Sequence, residues 1–181
     1  TLVFIFQQTM FFTIPLMIVA LGGMFSERSG IVNIALEGIM LIGAFCSILF
    51  ISIFQTVMSG QLLLLCAIGV AGLAGIIISL FHAYASVNMK ADQVISGTAI
   101  NMLAPALAIY VARLLTGVQQ IYFDNTFRIA KVPFLGDIPV IGPLLFQKTY
   151  ITTYIGFLIL IISAIVLYKT RFGLRLRACG E

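Results

Sequence analysis

The sequence predicts an all-α protein, a polytopic transmembrane helix bundle with about five spanning helices. Of its 181 residues, 61% are hydrophobic and 9% are charged, whereas a typical soluble domain has about 25% charged residues. The apolar residues fall into long runs, and a helix of about 20 residues crosses the hydrocarbon core of a bilayer. Strand-like alternation is absent, which disfavours a membrane barrel. This composition excludes a soluble enzyme, a disordered chain and a nucleic-acid-binding domain.

Five apolar runs, taken in chain order, are long enough to be spanning helices: 2–24, 31–54, 62–84, 94–115 and 150–168. The first carries Pro15 and the fourth Pro105, and proline is tolerated within membrane helices. The second contains a single carboxylate, Glu37, and the fifth is uninterrupted up to a basic tail. The third repeats glycine every three residues, which predicts close packing within the chain or against a second subunit: Gly69, Gly72 and Gly75.

The distribution of Lys and Arg predicts the orientation of the chain. The tail 169–181 carries four positive charges, one Lys and three Arg, and cytoplasmic segments of membrane proteins carry an excess of these residues. We therefore expect the tail to be cytoplasmic, with Glu181 inside and Thr1 outside. The segment 116–149 is then an extracytoplasmic loop. Its two similar turns, which begin at Pro133 and Pro139, fit either a partner-docking surface or an ordered cap at the membrane interface.

Sequence signatures of catalysis are missing. The chain has no phosphate-binding glycine loop, no nucleophile elbow and no dinucleotide-binding motif. His82 is the only histidine, so no zinc site is expected, and we interpret it as a polar residue near the inner end of the third span. The cysteines are interpreted as small apolar fillers: Cys46, Cys66 and Cys179. We therefore expect no enzymatic activity, no metal and no cofactor.

Five residues are candidates for a substrate path or a gate: Asn33, Glu37, Gln93, Asn101 and Pro105. Ionisable groups inside a span are costly and often functional. Glu37 is expected inside the second span, on the same helix face as Asn33, and it fits a path, a gate or a lock on the adjacent turn. Pro105 removes the hydrogen bond to the Asn101 carbonyl, and transporters present such interrupted helices to polar solutes. A packing kink is the alternative for Pro105, and Gln93 fits either the path or a helix cap.

Three segments, in order along the chain, resemble signature stretches of one family: Phe25–Gly38, Lys90–Asn101 and Thr170–Glu181. They resemble the permease subunits of ATP-binding-cassette (ABC) importers of the branched-chain amino acid, simple sugar and nucleoside type. The likeness is particularly to the nucleoside (guanosine-type) and simple-sugar permeases. Such permeases have more than five spans, so the resemblance implies a coupling helix and further spans after Glu181.

The resemblance implies a set of partners in a bacterial or archaeal cytoplasmic membrane. These are a cytoplasmic ATP-binding subunit, a second related permease subunit and an extracytoplasmic substrate-binding lipoprotein, besides membrane lipid; no nucleic acid is expected. Gly173, Arg175 and Arg177 would lie on the ATPase-coupling side, just before the docking segment, while Lys169 and Arg171 anchor the span. Two other functions stay open from the residues alone: a self-contained secondary carrier for a small polar solute, and a non-transporting membrane assembly protein.

Overall fold

The computed structural model describes residues 2–58, 60–124, 127–131 and 147–180. The described residues form six helices and two strands. In chain order these are α1 (Leu2–Arg28), α2 (Leu36–Phe54), α3 (Gly60–Val87), α4 (Gln93–Thr116), β1 (Arg128–Lys131), β2 (Gln147–Tyr150), α5 (Ile151–Lys169) and α6 (Arg171–Gly180). Within these ranges, five helices, α1 to α5, are long and apolar enough to cross a membrane. The predicted all-α transmembrane fold is therefore confirmed.

The chain divides into two compact units. One consists of Thr1–Ile31 and Phe127–Glu181, and the other of Val32–Thr126. The first unit thus contains α1, α5, α6 and the antiparallel pair of β1 and β2, in which Ile129 pairs with Thr149. The second unit contains α2, α3 and α4.

In the first unit, glycines bring helices into close contact. A Cβ atom at Gly156 of α5 would lie 2.5 Å from Cγ2 of Ile14 in α1, and Ile14 is only 4% exposed. At the far end of α6, a Cβ at Gly180 would lie 2.6 Å from the Arg28 carbonyl oxygen and 2.9 Å from the Gly30 amide nitrogen. Small residues allow such backbone approach, which stabilises helix association in lipid.

In the second unit, α2 packs on both α3 and α4. A Cβ at Gly43 of α2 would lie 3.2 Å from the Ala71 carbonyl oxygen in α3, and the α3 residues Leu63 and Ala67 are fully buried. Of the three glycines predicted to pack, Gly75 contacts α2 through Ile39. A Cβ at Gly69 or Gly72 would meet nothing within 4 Å among the described residues. Internal packing therefore accounts for only part of this repeat.

The start of the second spanning helix differs most from the prediction. It begins at Leu36 rather than at residue 31, and residues 31–35 are not helical. Gly30, with φ of +80°, ends the turn after α1, and the Asn33 side chain accepts a hydrogen bond from the Ala35 amide. Such a local side-chain bond competes with helix formation, although the flanking residues are apolar. The turns at Pro133 and Pro139 lie outside the described residues.

Candidate functional site

Asn101 joins α4 to the start of α2 with both ends of its side chain. Its Oδ1 accepts a hydrogen bond of 2.7 Å from the Gly38 amide, and its Nδ2 donates one of 2.8 Å to the Ile34 carbonyl oxygen. We call this pair of bonds the Asn101 clamp. Non-helical backbone at membrane depth must find partners within the protein. The clamp supplies a partner to the Ile34 carbonyl, just before α2 begins at Leu36, and to the Gly38 amide, just after it.

Close backbone packing holds the same segment against α4. A Cβ at Gly38 would lie 2.9 Å from the Ile100 carbonyl oxygen, and a Cβ at Gly97 would lie 3.0 Å from the Ala35 amide nitrogen. Ala35 is fully buried. A larger side chain at either glycine would therefore push the two elements apart.

Glu37 lies in the first turn of α2, between the two residues that the clamp contacts. This corrects the expectation that Glu37 lies several residues inside a span, on one helix face with Asn33, because Asn33 precedes the helix. The Glu37 side chain is exposed. The structure shows no hydrogen bond or ion pair for its carboxylate in the part of the chain that it describes. A carboxylate at this end is favoured by the positive N-terminal end of the helix dipole.

The two other candidates on α4 lie apart from the clamp. Gln93 is the first residue of α4, and the helix is capped by Asp92, whose Oδ1 accepts bonds of 2.8 Å from Val94 N and 3.1 Å from Ile95 N. Pro105 lies one turn after Asn101, inside the helix, so the Asn101 carbonyl receives no hydrogen bond from residue 105. The structure therefore places Asn33 and Glu37 in the backbone segment that Asn101 holds, and Gln93 outside that segment.

A second polar contact holds α4 on its other side. His82 of α3 is 6% exposed, and its Nδ1 lies 3.0 Å from the Ser96 hydroxyl of α4. Residues 96 and 101 are five positions apart, so their side chains leave α4 in different directions, one toward α3 and the other toward α2. The sequence predicts an interfacial polar residue at position 82, whereas the structure buries its side chain between α3 and α4. The sequence signal for this burial is Ser96, a polar residue that can pair with His82 from the following span.

The basic tail forms α6, and Gly173 determines how closely it follows α5. A Cβ at Gly173 would overlap the carbonyl oxygens of Val166 and Leu167. The Thr170 hydroxyl accepts a hydrogen bond of 3.2 Å from the Gly173 amide, which caps the new helix. Leu167 is fully buried at this corner. The chain therefore turns sharply from the spanning helix into α6.

The two arginines assigned to the coupling side have different surroundings. The Arg177 guanidinium lies 5.7 Å from the centre of the Tyr168 ring, and its Nε donates a bond of 3.4 Å to the Gly173 carbonyl oxygen. Arg175 is exposed. Arg177 thus contributes to the corner between α5 and α6, whereas Arg175 is available to another molecule.

These features define a multi-pass membrane protein whose polar groups gather where its second and fourth helices meet. Among the residues with described positions, no cluster of potential metal ligands is found. The family model for the permease component of branched-chain amino acid transport systems matches residues 5–181. The chain belongs to this permease family.

Two relatives match almost the whole chain. The guanosine ABC transporter permease protein NupQ of Bacillus subtilis is 44% identical over 181 residues, which cover 98% of this chain and 56% of the relative. The nucleoside ABC transporter permease protein NupC of Lactococcus lactis is 40% identical over 181 residues, which cover 100% of this chain and 57% of the relative. The chain thus spans little more than half the length of these curated relatives. No solved structure matches it.

Proposed function

We propose that this chain belongs to the membrane permease subunit of an ABC importer that carries nucleosides, with simple sugars as the alternative solute class. The observation that carries the proposal is the 44% identity, over 98% of the chain, to a permease named for guanosine transport. The five apolar helices support a role within the membrane. The translocation path would form between this subunit and a second, related permease subunit.

We propose that the chemistry of ATP hydrolysis takes place on a separate cytoplasmic ATP-binding subunit. An extracytoplasmic substrate-binding lipoprotein would deliver the solute to the outer face. The location would be the cytoplasmic membrane of a bacterium or archaeon, with Thr1 outside and Glu181 inside. The basic residues at the end of α5 and in α6 support this orientation, because Lys and Arg favour the cytoplasmic side.

The clamped start of α2 is our proposed gate. Its exposed carboxylate, Glu37, offers hydrogen-bond acceptors to the hydroxyl and N–H groups of a nucleoside or sugar. Asn33 and Asn101 shape the backbone around it. Pro105 cannot donate a hydrogen bond to the Asn101 carbonyl of α4, and Gln93 is proposed to lie near the inner end of the path.

We assign α6 to the ATPase-coupling side. In this proposal Gly173 and Arg177 fix the direction of α6, and the exposed Arg175 contacts the ATP-binding subunit. Lys169 and Arg171 anchor the end of the span and interact with anionic lipid, each contributing about 1 kcal/mol near the membrane surface.

Reconstitution tests the function. The full-length protein is placed in proteoliposomes together with a second related permease subunit, a cognate ATP-binding protein and a cognate binding protein, and uptake of labelled guanosine, adenosine and ribose is measured. We expect uptake that requires both ATP and the binding protein. Uptake by the permease alone, driven by an ion gradient, would instead indicate a secondary carrier. Normal uptake of every solute in a deletion strain would indicate an assembly protein.

A further inference from the structure

The backbone on both sides of Glu37 is fixed by one side chain from a distant part of the chain. The clamp contacts the carbonyl of residue 34 and the amide of residue 38, so the four residues from Ala35 to Gly38 lie between its two bonds. Inside this interval, Ala35 donates its amide to Asn33 and accepts a bond of 3.0 Å from the Ile39 amide. These hydrogen bonds hold the backbone at Glu37 in one position.

The direction of the Glu37 side chain follows from that backbone. Gly38 faces α4, where it contacts Ile100 and Asn101. Adjacent residues of a helix point about 100° apart, so Glu37 points away from the clamp and its carboxylate stays exposed. The Oδ1 and Nδ2 atoms of the Asn101 carboxamide each make one bond of the clamp. Each of these two atoms keeps one further hydrogen-bonding position, but the clamp directs both of them at the backbone of residues 34 and 38.

We propose that Asn101 is a positioning residue: it acts on transport through Glu37, by holding the start of α2 so that the carboxylate faces the crossing solute. The inference rests on the proposed function and deepens it, because it assigns the solute contact to Glu37 and removes it from Asn101. The solute it fits is a neutral molecule with several hydroxyl or N–H donors.

Ser96 provides the matched control. It lies on the same helix as Asn101, and it also makes a side-chain hydrogen bond to a neighbouring helix, but to His82 of α3 rather than to α2. Loss of helix packing alone would make Ser96→Ala resemble Asn101→Leu. If Asn101→Leu acts by displacing Glu37, Ser96→Ala should behave differently from it.

The test is a double-substitution cycle on guanosine uptake by the reconstituted importer. Asn101→Leu and Glu37→Gln should each raise KM about tenfold, the effect expected for losing a hydrogen bond to a charged group, with a smaller change in maximal rate. The double variant should be no worse than either single variant. Ser96→Ala should keep KM near that of the starting protein. Multiplied effects in the double variant, a normal KM in Glu37→Gln, or a Ser96→Ala variant that behaves like Asn101→Leu would each overturn the proposal.

A second measurement does not depend on transport. Glu37→Cys is made with every native cysteine of the full-length protein, including Cys46, Cys66 and Cys179, replaced by Ala. Its rate of labelling by a water-soluble thiol reagent is compared with and without Asn101→Asp. Asp keeps the acceptor for the Gly38 amide but lacks the donor to Ile34. We expect a severalfold change in labelling rate. An unchanged rate refutes the positioning role, whereas a changed rate without any guanosine uptake refutes only the proposed function.

Discussion

Gly38→Ala should destabilise the protein although alanine is the better helix former. A Cβ at this position would lie 2.9 Å from both the Asn101 Oδ1 and the Ile100 carbonyl oxygen, where ordinary contacts begin at 3.4 Å. One of these neighbours is backbone, so α2 and α4 must separate by about half an ångström. Overpacking of this kind costs about 1–3 kcal/mol, whereas Gly→Ala at a compatible site gains about 0.4–1 kcal/mol. The expected net loss is about 1–2 kcal/mol.

Gly72→Ala is the control for this substitution. It also lies in an apolar helix, but a Cβ there meets nothing within 4 Å among the described residues. It should therefore keep the gain of about 0.4–1 kcal/mol. Thermal unfolding of the purified full-length protein in detergent separates the two, with Gly38→Ala melting at least about 3 °C below Gly72→Ala. Equal melting temperatures would show that the close crossing of α2 and α4 at Gly38 does not exist.

Three further outcomes are expected. Gly173→Ala should weaken co-purification of the ATP-binding subunit, because the added methyl group forces α6 away from the end of α5; wild-type recovery would contradict this. Arg175→Ala should reduce recovery of the ATP-binding subunit without lowering the melting temperature. Arg177→Ala should lower the melting temperature, because it removes a contact with the Tyr168 ring that is worth about 0.5–1 kcal/mol. The opposite result for the two variants would refute the separate roles assigned to these arginines. Ser96→Ala should destabilise by about 1 kcal/mol, because it leaves the buried His82 Nδ1 without its hydrogen bond; the same unfolding assay measures the effect, and an unchanged melting temperature would argue against that bond.

The spanning helices could be predicted because their signal is local. Length and hydrophobicity are properties of one continuous run, and lipid requires that such a run satisfy its own backbone. The start of α2 could not be predicted in this way. Residues 31–35 are largely apolar, and one side-chain bond from Asn33 together with contacts from α4 keeps them out of the helix.

The candidate site was predictable only in part. The position of Pro105 in α4 predicts that the polar groups of Asn101 face a solute, and a role of Asn101 in transport stays a prediction. Its partners are the backbone groups of residues 34 and 38, which are more than 60 positions away in sequence. No local pattern indicates such a contact. Arg177 shows the same limit, since its ring partner Tyr168 belongs to the preceding helix.

The discontinuity of the first unit bears on how the protein is made. Its helix α1 is synthesised first, whereas its packing partners α5 and α6 begin only at Ile151 and Arg171. At about 5–20 residues per second, α1 waits some 6–25 s for the first of them. The intervening unit, by contrast, is continuous from Val32 to Thr126, and its helices can associate as soon as they leave the insertion machinery. During biogenesis α1 must therefore be shielded by lipid or by the translocon while the second unit, Val32–Thr126, is already assembling.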